Sequence, residues 1–154
     1  RRCLEDNVKT TLYFAYGSNL DGRQMSWRCP SAEVVGPAWL PDHRLAFAGH
    51  SRLWGGAVAT VAPSVGAVVE GLVYRISGED LAALDRCEGH PAFYRRVRRS
   101  VLDERGRQLR PSLYLLTDRS EALPAFPYLA TLWRAYDQLG FDPTALAGAI
   151  GGAA

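Results

Sequence analysis

Residues Tyr13-Phe14-Ala15-Tyr16-Gly17-Ser18-Asn19-Leu20 constrain the fold more than any other stretch of this chain. Thr11 to Tyr16 gathers aromatic and β-branched side chains over the length of one strand, and Gly17 then admits a turn that residues with a Cβ resist. A helix is predicted to begin near Asp21. A strand that feeds a turn and then a helix aims several backbone N–H groups at one place, where an anion or a developing negative oxygen is favoured. On local physics alone, the same residues also fit a strand end closed by an ordinary Asx or Ser turn.

The chain has 154 residues, enough for one domain with a core and too few for two. A hydrophobic fraction of 47% and a charged fraction of 22% are ordinary globular values, so disorder is expected only at the ends. The net charge of +2 gives no general attraction for nucleic acid or a membrane surface. Lys9 is the only lysine among 18 basic residues, and arginine keeps its charge at any working pH and suits carboxylate binding. Cys3, Cys29 and Cys87 are odd in number and lack Cys-x-x-Cys spacing, which argues against a disulfide framework or a zinc site. His43, His50 and His90 lack metal-ligand spacing too. No metal or cofactor is expected, and the cysteine usage fits a reducing cytoplasm. Arg1 to Thr10 lacks the apolar core of a signal peptide, and no run approaches the roughly eighteen apolar residues of a membrane span.

In order along the chain, residues 1–10 read as a flexible leader, 11–146 as a single domain and 147–154 as a flexible, small-residue tail. Asp21 to Arg28 is a short helix with Asp21 at its N-terminal end, stopped by Cys29-Pro30. Val34 to Leu40, His43 to Ala48 and Ala57 to Ala62 are predicted as separate short strands, divided by Pro41-Asp42 and a glycine-bearing loop, with Pro63 closing the last. Ala67 to Ile76 is a further strand, despite Glu70 and Gly71. Tyr94 to Leu102 and Gln108 to Leu116 form a hairpin about Asp103-Glu104-Arg105-Gly106. Ala125 to Leu139 is an amphipathic helix with Pro127 in its first turn and Leu129, Leu132 and Trp133 in the core. Asp142-Pro143 starts a final short helix. Strands at regular spacing with a few helices give an α+β domain.

The helix after Ile76 carries the chemistry. Ser77 is its N-cap with Asp80 three residues on, and Gly89 and Pro91 end it. Leu81, Leu84 and Glu88 fall at i, i+3 and i+7, so the acid shares a face with two leucines. There, desolvation and the negative end of the helix both raise its pKa. The commoner fate of a lone glutamate at a helix end is solvation.

Five segments in order resemble the γ-glutamylcyclotransferase family: the Tyr-Phe-Ala-Tyr-Gly-Ser-Asn-Leu stretch, Gly55-Gly56-Ala57-Val58-Ala59-Thr60, Glu70-Gly71-Leu72-Val73-Tyr74, Leu84-Asp85-Arg86-Cys87-Glu88-Gly89 with Phe93-Tyr94, and Tyr114-Leu115-Leu116-Thr117 followed by Pro127-Tyr128. The resemblance implies a small mixed β-barrel with helices packed outside. It also implies an enzyme in which the α-amine of a γ-glutamyl group attacks its own γ-carbonyl, releasing the attached amine and 5-oxoproline without water. Glu88 matches the family's catalytic glutamate. Tyr16, Gly17, Ser18, Asn19 and Leu20 match the substrate loop, whose main-chain groups would hold the glutamyl carboxylate and polarise the γ-carbonyl. Tyr94 and Tyr128 match positions where a phenol lines the glutamyl pocket, although packing at a core edge serves equally for tyrosines in a strand and a helix. Asp85 is the rival carboxylate, or the partner of an arginine.

The implied partner is a small γ-glutamyl molecule, with no nucleic acid or membrane involved and a monomer or homodimer as the assembly. Related enzymes that act on γ-glutamylamines carry Tyr-Gly-Thr-Leu where this chain reads Tyr-Gly-Ser-Asn-Leu, which favours a γ-glutamyl amino acid or a γ-glutamyl-protected metabolite. A non-enzymatic binding module is the other alternative, resting on Arg95, Arg96, Arg98 and Arg99. Side chains on a strand alternate between faces, so these four do not form one continuous basic surface.

Overall fold

Strand β1 (Thr10–Ala15) ends with Tyr13, Phe14 and Ala15 buried, and the chain turns at once through a single 3-10 turn, Ser18–Leu20, into helix α1 (Gly22–Arg28). The computed structural model describes residues 9–153; most of the expected leader lies outside the described residues. Asp21 caps α1, its side chain accepting the Arg23 N–H at 3.1 Å, as its position in the sequence requires.

The short strands expected between Val34 and Ala62 are parts of two long ones, β2 (Glu33–Ser51) and β3 (Gly56–Ser77), paired antiparallel. Pro41-Asp42 bends β2 without ending it. Asp42 sits at φ 59° in a register shift between Pro41 and His43, and its side chain accepts the Gly66 N–H at 3.0 Å. Likewise β3 runs through Pro63. Strand β1 pairs with β3 only over Leu72 to Ser77, so Pro63 has β2 on one side and no ladder partner on the other.

The hairpin expected from Tyr94 to Leu116 forms, but it is broken into β4 (Tyr94–Arg98), β5 (Val101–Asp103), β6 (Gln108–Leu109) and β7 (Ser112–Leu116). Its base, β4 with β7, joins the sheet beside β1, and its tip, β5 with β6, joins beside β2. The seven strands therefore run β4-β7-β1-β3-β2-β5-β6, and one hairpin spans both ends of the row. This wrapping curls the sheet into a half-barrel within an α+β fold. Of the arginines near β4, Arg96 pairs with Asp85, and Arg98, two residues on, donates to the Arg110 carbonyl oxygen.

Helix α2 (Gly78–Cys87) begins with a full capping box between Ser77 and Asp80, and buries Leu84 completely. Helix α3 (Phe126–Leu139) buries Tyr128, Thr131, Leu132, Ala135 and Tyr136. Trp133, expected in the core, is 47% exposed, because the buried stripe at i, i+3, i+4, i+7 and i+8 leaves it on the flank. The segment from residue 147, expected to be mobile, continues helix α4 (Thr144–Ala153), in which Leu146 and Ala149 are buried. Among the described residues no helix is long and apolar enough to cross a membrane.

Gly71 marks the tightest packing of β3 against β1. A Cβ built there would stand 2.5 Å from the Ala15 carbonyl oxygen and equally close to the Phe14 ring. Because one neighbour is backbone, the site has little room to relax. Gly71→Ala is expected to lower the unfolding free energy by about 1–3 kcal/mol, the usual cost of overpacking, read from urea denaturation. A midpoint equal to wild type would show that β1 and β3 are not held this closely.

Candidate active site

Glu88 stands at the C-cap of α2, its N–H bonded to the Leu84 carbonyl oxygen at 2.8 Å. The chain then loops back so that the Tyr94 N–H donates to the Glu88 carbonyl oxygen at 3.1 Å. The acid and the first residue of β4 are thus fastened together. The Glu88 side chain is 14% exposed and reaches the turn after β1, where the Asn19 amide Nδ2 donates to Oε1 at 3.1 Å. Burial raises the carboxyl above its ordinary value, while the charge of Arg28 and the bond from Asn19 pull it back in part.

Phenols surround this acid. Tyr13 accepts the Asn19 Nδ2–H at 2.8 Å, and Tyr16 donates to the Tyr114 carbonyl oxygen. Tyr94 donates to the Ala59 carbonyl oxygen at 2.6 Å, and Tyr128 accepts the Ala59 N–H at 2.9 Å. One residue of β3 therefore spends both backbone groups on fixing two rings. Burial pushes the Tyr13, Tyr16, Tyr94 and Tyr128 hydroxyls up, and the nearby Glu88 charge adds to it, so all four stay neutral at working pH. Gly17 fits under this group because a Cβ there would stand 3.2 Å from the Tyr128 hydroxyl and 3.3 Å from the Ala59 side chain.

Two connected hollows result. The inner one, about 30 Å³, is bounded by Tyr13, Tyr16, the Gly17 to Asn19 turn, Ala59, Glu88, Tyr94, Tyr114 and Tyr128. The outer one, about 360 Å³, shares Ser18, Glu88, Tyr94 and Tyr128 with it and opens between Arg28, the His50 to Trp54 hairpin tip, Arg86, Cys87 and Phe93. A hydrogen-bonding inner end that holds one carboxyl beneath a broad cationic mouth suits a small molecule that carries both a cationic and an anionic group.

The residues singled out in the sequence are brought together with one exception. Tyr16, Gly17, Ser18, Asn19, Glu88, Tyr94 and Tyr128 all border the inner hollow, whereas the Leu20 side chain lies in the core and lines neither space. Asp85 is turned away from the hollows: it pairs with Arg96 and accepts the Tyr114 hydroxyl at 2.7 Å. Three participants went unread in the sequence. Tyr13 was visible as the other tyrosine of the opening strand, but Arg28 and Tyr114 look there like a helix-end cation and a core strand residue. Among the described residues no group of three or more His, Cys, Asp and Glu side chains is placed to hold a metal ion.

Comparison with known proteins identifies the family. A family model described as "Gamma-glutamyl cyclotransferase, AIG2-like" matches residues 13–135. The chain is 34% identical to a mouse protein named gamma-glutamylcyclotransferase over 125 residues, 78% of this chain and 66% of that one. It is also 34% identical to the human protein of that name over 122 residues, 76% of this chain and 65% of that one. The chain thus spans just under two thirds of the length of these relatives. A solved structure titled gamma-glutamyl cyclotransferase superposes with a TM-score of 0.81 at 31% identity, covering 86% of this chain and 81% of that one. Matched over the strand, turn and helix that build the pocket, the chain belongs to the gamma-glutamyl cyclotransferase, AIG2-like family.

Proposed function

We propose that this protein is a γ-glutamylcyclotransferase that converts a γ-glutamyl amino acid, or a γ-glutamyl-protected metabolite, to 5-oxoproline and the free amine. The observation that carries the reading is a buried carboxyl with a raised pKa, facing a tyrosine-ringed hollow beneath the Gly17 to Asn19 turn. The glutamyl part occupies the inner hollow and its immediate mouth, and the amine to be released extends toward Arg52, Trp54 and Arg86 in the outer one.

In this mechanism Glu88 takes a proton from the α-ammonium, and the freed nitrogen attacks the γ-carbonyl carbon of the same molecule. A five-membered ring closes as the new C–N bond forms. The γ-carbonyl oxygen becomes negative and is met by the turn's main-chain groups and neighbouring hydroxyls. Collapse breaks the old C–N bond, and the protonated Glu88 returns its proton to the departing amine. Glu88, ionised again, takes the second proton from the ring nitrogen and passes it to the released amine, which departs as its ammonium. Two protons have then moved from the α-nitrogen to the leaving nitrogen, and no water is incorporated. Because nucleophile and electrophile are already joined, the protein's main contribution is to hold the curled conformer and supply one group that both takes and gives a proton. A carboxyl raised by burial is suited to both transfers near neutral pH.

Glu88→Gln is expected to lower turnover on the order of a hundred- to ten-thousandfold, because the amide is nearly isosteric but cannot carry the proton. Stability should respond in the opposite sense. A carboxyl whose folded pKa lies above its unfolded one contributes stability that is fully present below the unfolded value and is lost as pH rises through the folded value. The amide has no such loss. The variant's melting temperature should equal or exceed wild type near neutral pH, with the gap closing in acid. Near wild-type formation of 5-oxoproline would rule Glu88 out as the base.

Chemical modification of the substrate gives an independent check. Acetylating the α-amine of a γ-glutamyl dipeptide should abolish release of its amino acid, measured by mass spectrometry, since the nucleophile is then blocked. Release from the acetylated compound would mean hydrolysis and would remove the ring-closure mechanism.

A further inference from the structure

Glu88 is held by one oxygen only. Asn19 Nδ2 donates to Oε1 at 3.1 Å and Arg28 NH1 approaches the same oxygen at 3.4 Å, while Oε2 has no hydrogen-bond partner among the described residues. The Asn19 amide has no freedom to turn over. Its Oδ1 accepts from Arg28 NH1 at 3.1 Å, a group that can only donate, and from Gln24 Nε2 at 3.0 Å. Its Nδ2 must therefore face Tyr13 and Glu88. Helix α1 supplies Gln24 and Arg28 one turn apart, so it acts through Asn19 on a carboxyl belonging to another helix.

We infer that Asn19 and Arg28 are positioning residues, which pin Oε1 of Glu88 and present Oε2 to the cavity as the one oxygen that exchanges protons with substrate. The inference rests on the cyclotransferase reading. A carboxylate free to rotate would offer either oxygen in many directions; one held at Oε1 keeps Oε2, with its syn and anti lone pairs, in one place, which matters when the same atom must first meet the attacking nitrogen and later the leaving one. Arg28 adds charge to this geometry. It is 12% exposed at its side chain and is the only cation within ion-pair distance of Glu88 among the described residues.

The other groups around Glu88 differ from Arg28 in kind or in place. Tyr13 comes from β1, Tyr16 from the turn that follows it, Tyr94 from β4, Tyr114 from β7 and Tyr128 from α3, and all are phenols kept neutral by burial. Arg86 and Cys87 belong to α2 itself, and His50 and Arg52 lie across the outer hollow. The charge of Arg28 favours ionised Glu88, so removing it should drive the carboxyl further up.

The test compares Arg28→Met, Arg28→Lys and Asn19→Ala with wild type. Formation of 5-oxoproline from γ-glutamylalanine is followed across pH, alongside thermal melts and a carbon-13 NMR titration of the Glu88 carboxyl. In Arg28→Met the acid limb of the kcat/KM profile should move to higher pH. Its kcat should fall on the order of ten- to a hundredfold with KM little changed, the scale of a misdirected reacting group. Arg28→Lys should recover the pH limb, and Asn19→Ala should lose kcat with KM kept. A rise in KM with an unmoved pH profile would place Arg28 on the substrate instead and overturn the inference, as would an Arg28→Met variant that matches wild type throughout. The NMR titration separates the two hypotheses. Should wild type form no 5-oxoproline, the cyclotransferase reading fails, yet an upward move of the Glu88 titration in Arg28→Met still supports the pinning and an unchanged titration defeats it.

Discussion

A carboxyl group kept from water is the constraint to which the rest of this structure answers. Left alone on the apolar side of a helix end, Glu88 would gain protonation and lose usefulness; bound by too many cations, it would remain ionised and make a poor acid. The fold sets a balance between the two. Burial among Tyr13, Tyr16, Tyr94, Tyr114 and Tyr128 pushes one way, and Arg28 with Asn19 pushes the other. Phenols suit the surrounding wall because they donate and accept hydrogen bonds without bringing charge of their own.

Holding those phenols is largely the task of β3. Ala59 offers one backbone group to a ring from β4 and the other to a ring from α3, so two elements distant in sequence are indexed to the same strand residue. Side chains with two rotatable bonds, each tied at its tip, lose most of their freedom to adapt. The pocket is therefore set before any molecule enters, which is the condition under which aligned groups accelerate a reaction most.

How much of this could be read in the sequence depends on whether the controlling interaction is local. The strand-turn-helix at Tyr13 to Arg28, the capping box at Ser77 and Asp80, and the place of Glu88 one step past α2 are decided within a few residues, and periodicity and cap chemistry reach them. The continuity of β2 and β3 is not local. Pro41 and Pro63 look like strand breaks until the partner strand and its register shift are known. Asn19 and Glu88 were legible through motifs, but Arg28 was not, because its partners lie 9 and 60 positions away and nothing in α1 announces them. Trp133 misled for a related reason: a helix with apolar residues on its flank as well as its stripe does not say which will be covered.

The hairpin that joins both ends of the sheet ties the two edges to one another. Neither β4 with β7 nor β5 with β6 can settle on its neighbour independently, since two short crossings, at Arg99-Ser100 and Arg110-Pro111, hold the two docking steps to one another. Contacts of long sequence separation form slowly. Tyr94 starts one of the docking strands, so the wall of the pocket is linked through the hairpin to the far edge of the sheet. Enclosure of the acid thus depends on pairings between elements far apart in the chain, and it is shared between the two edges of one sheet rather than owned by either.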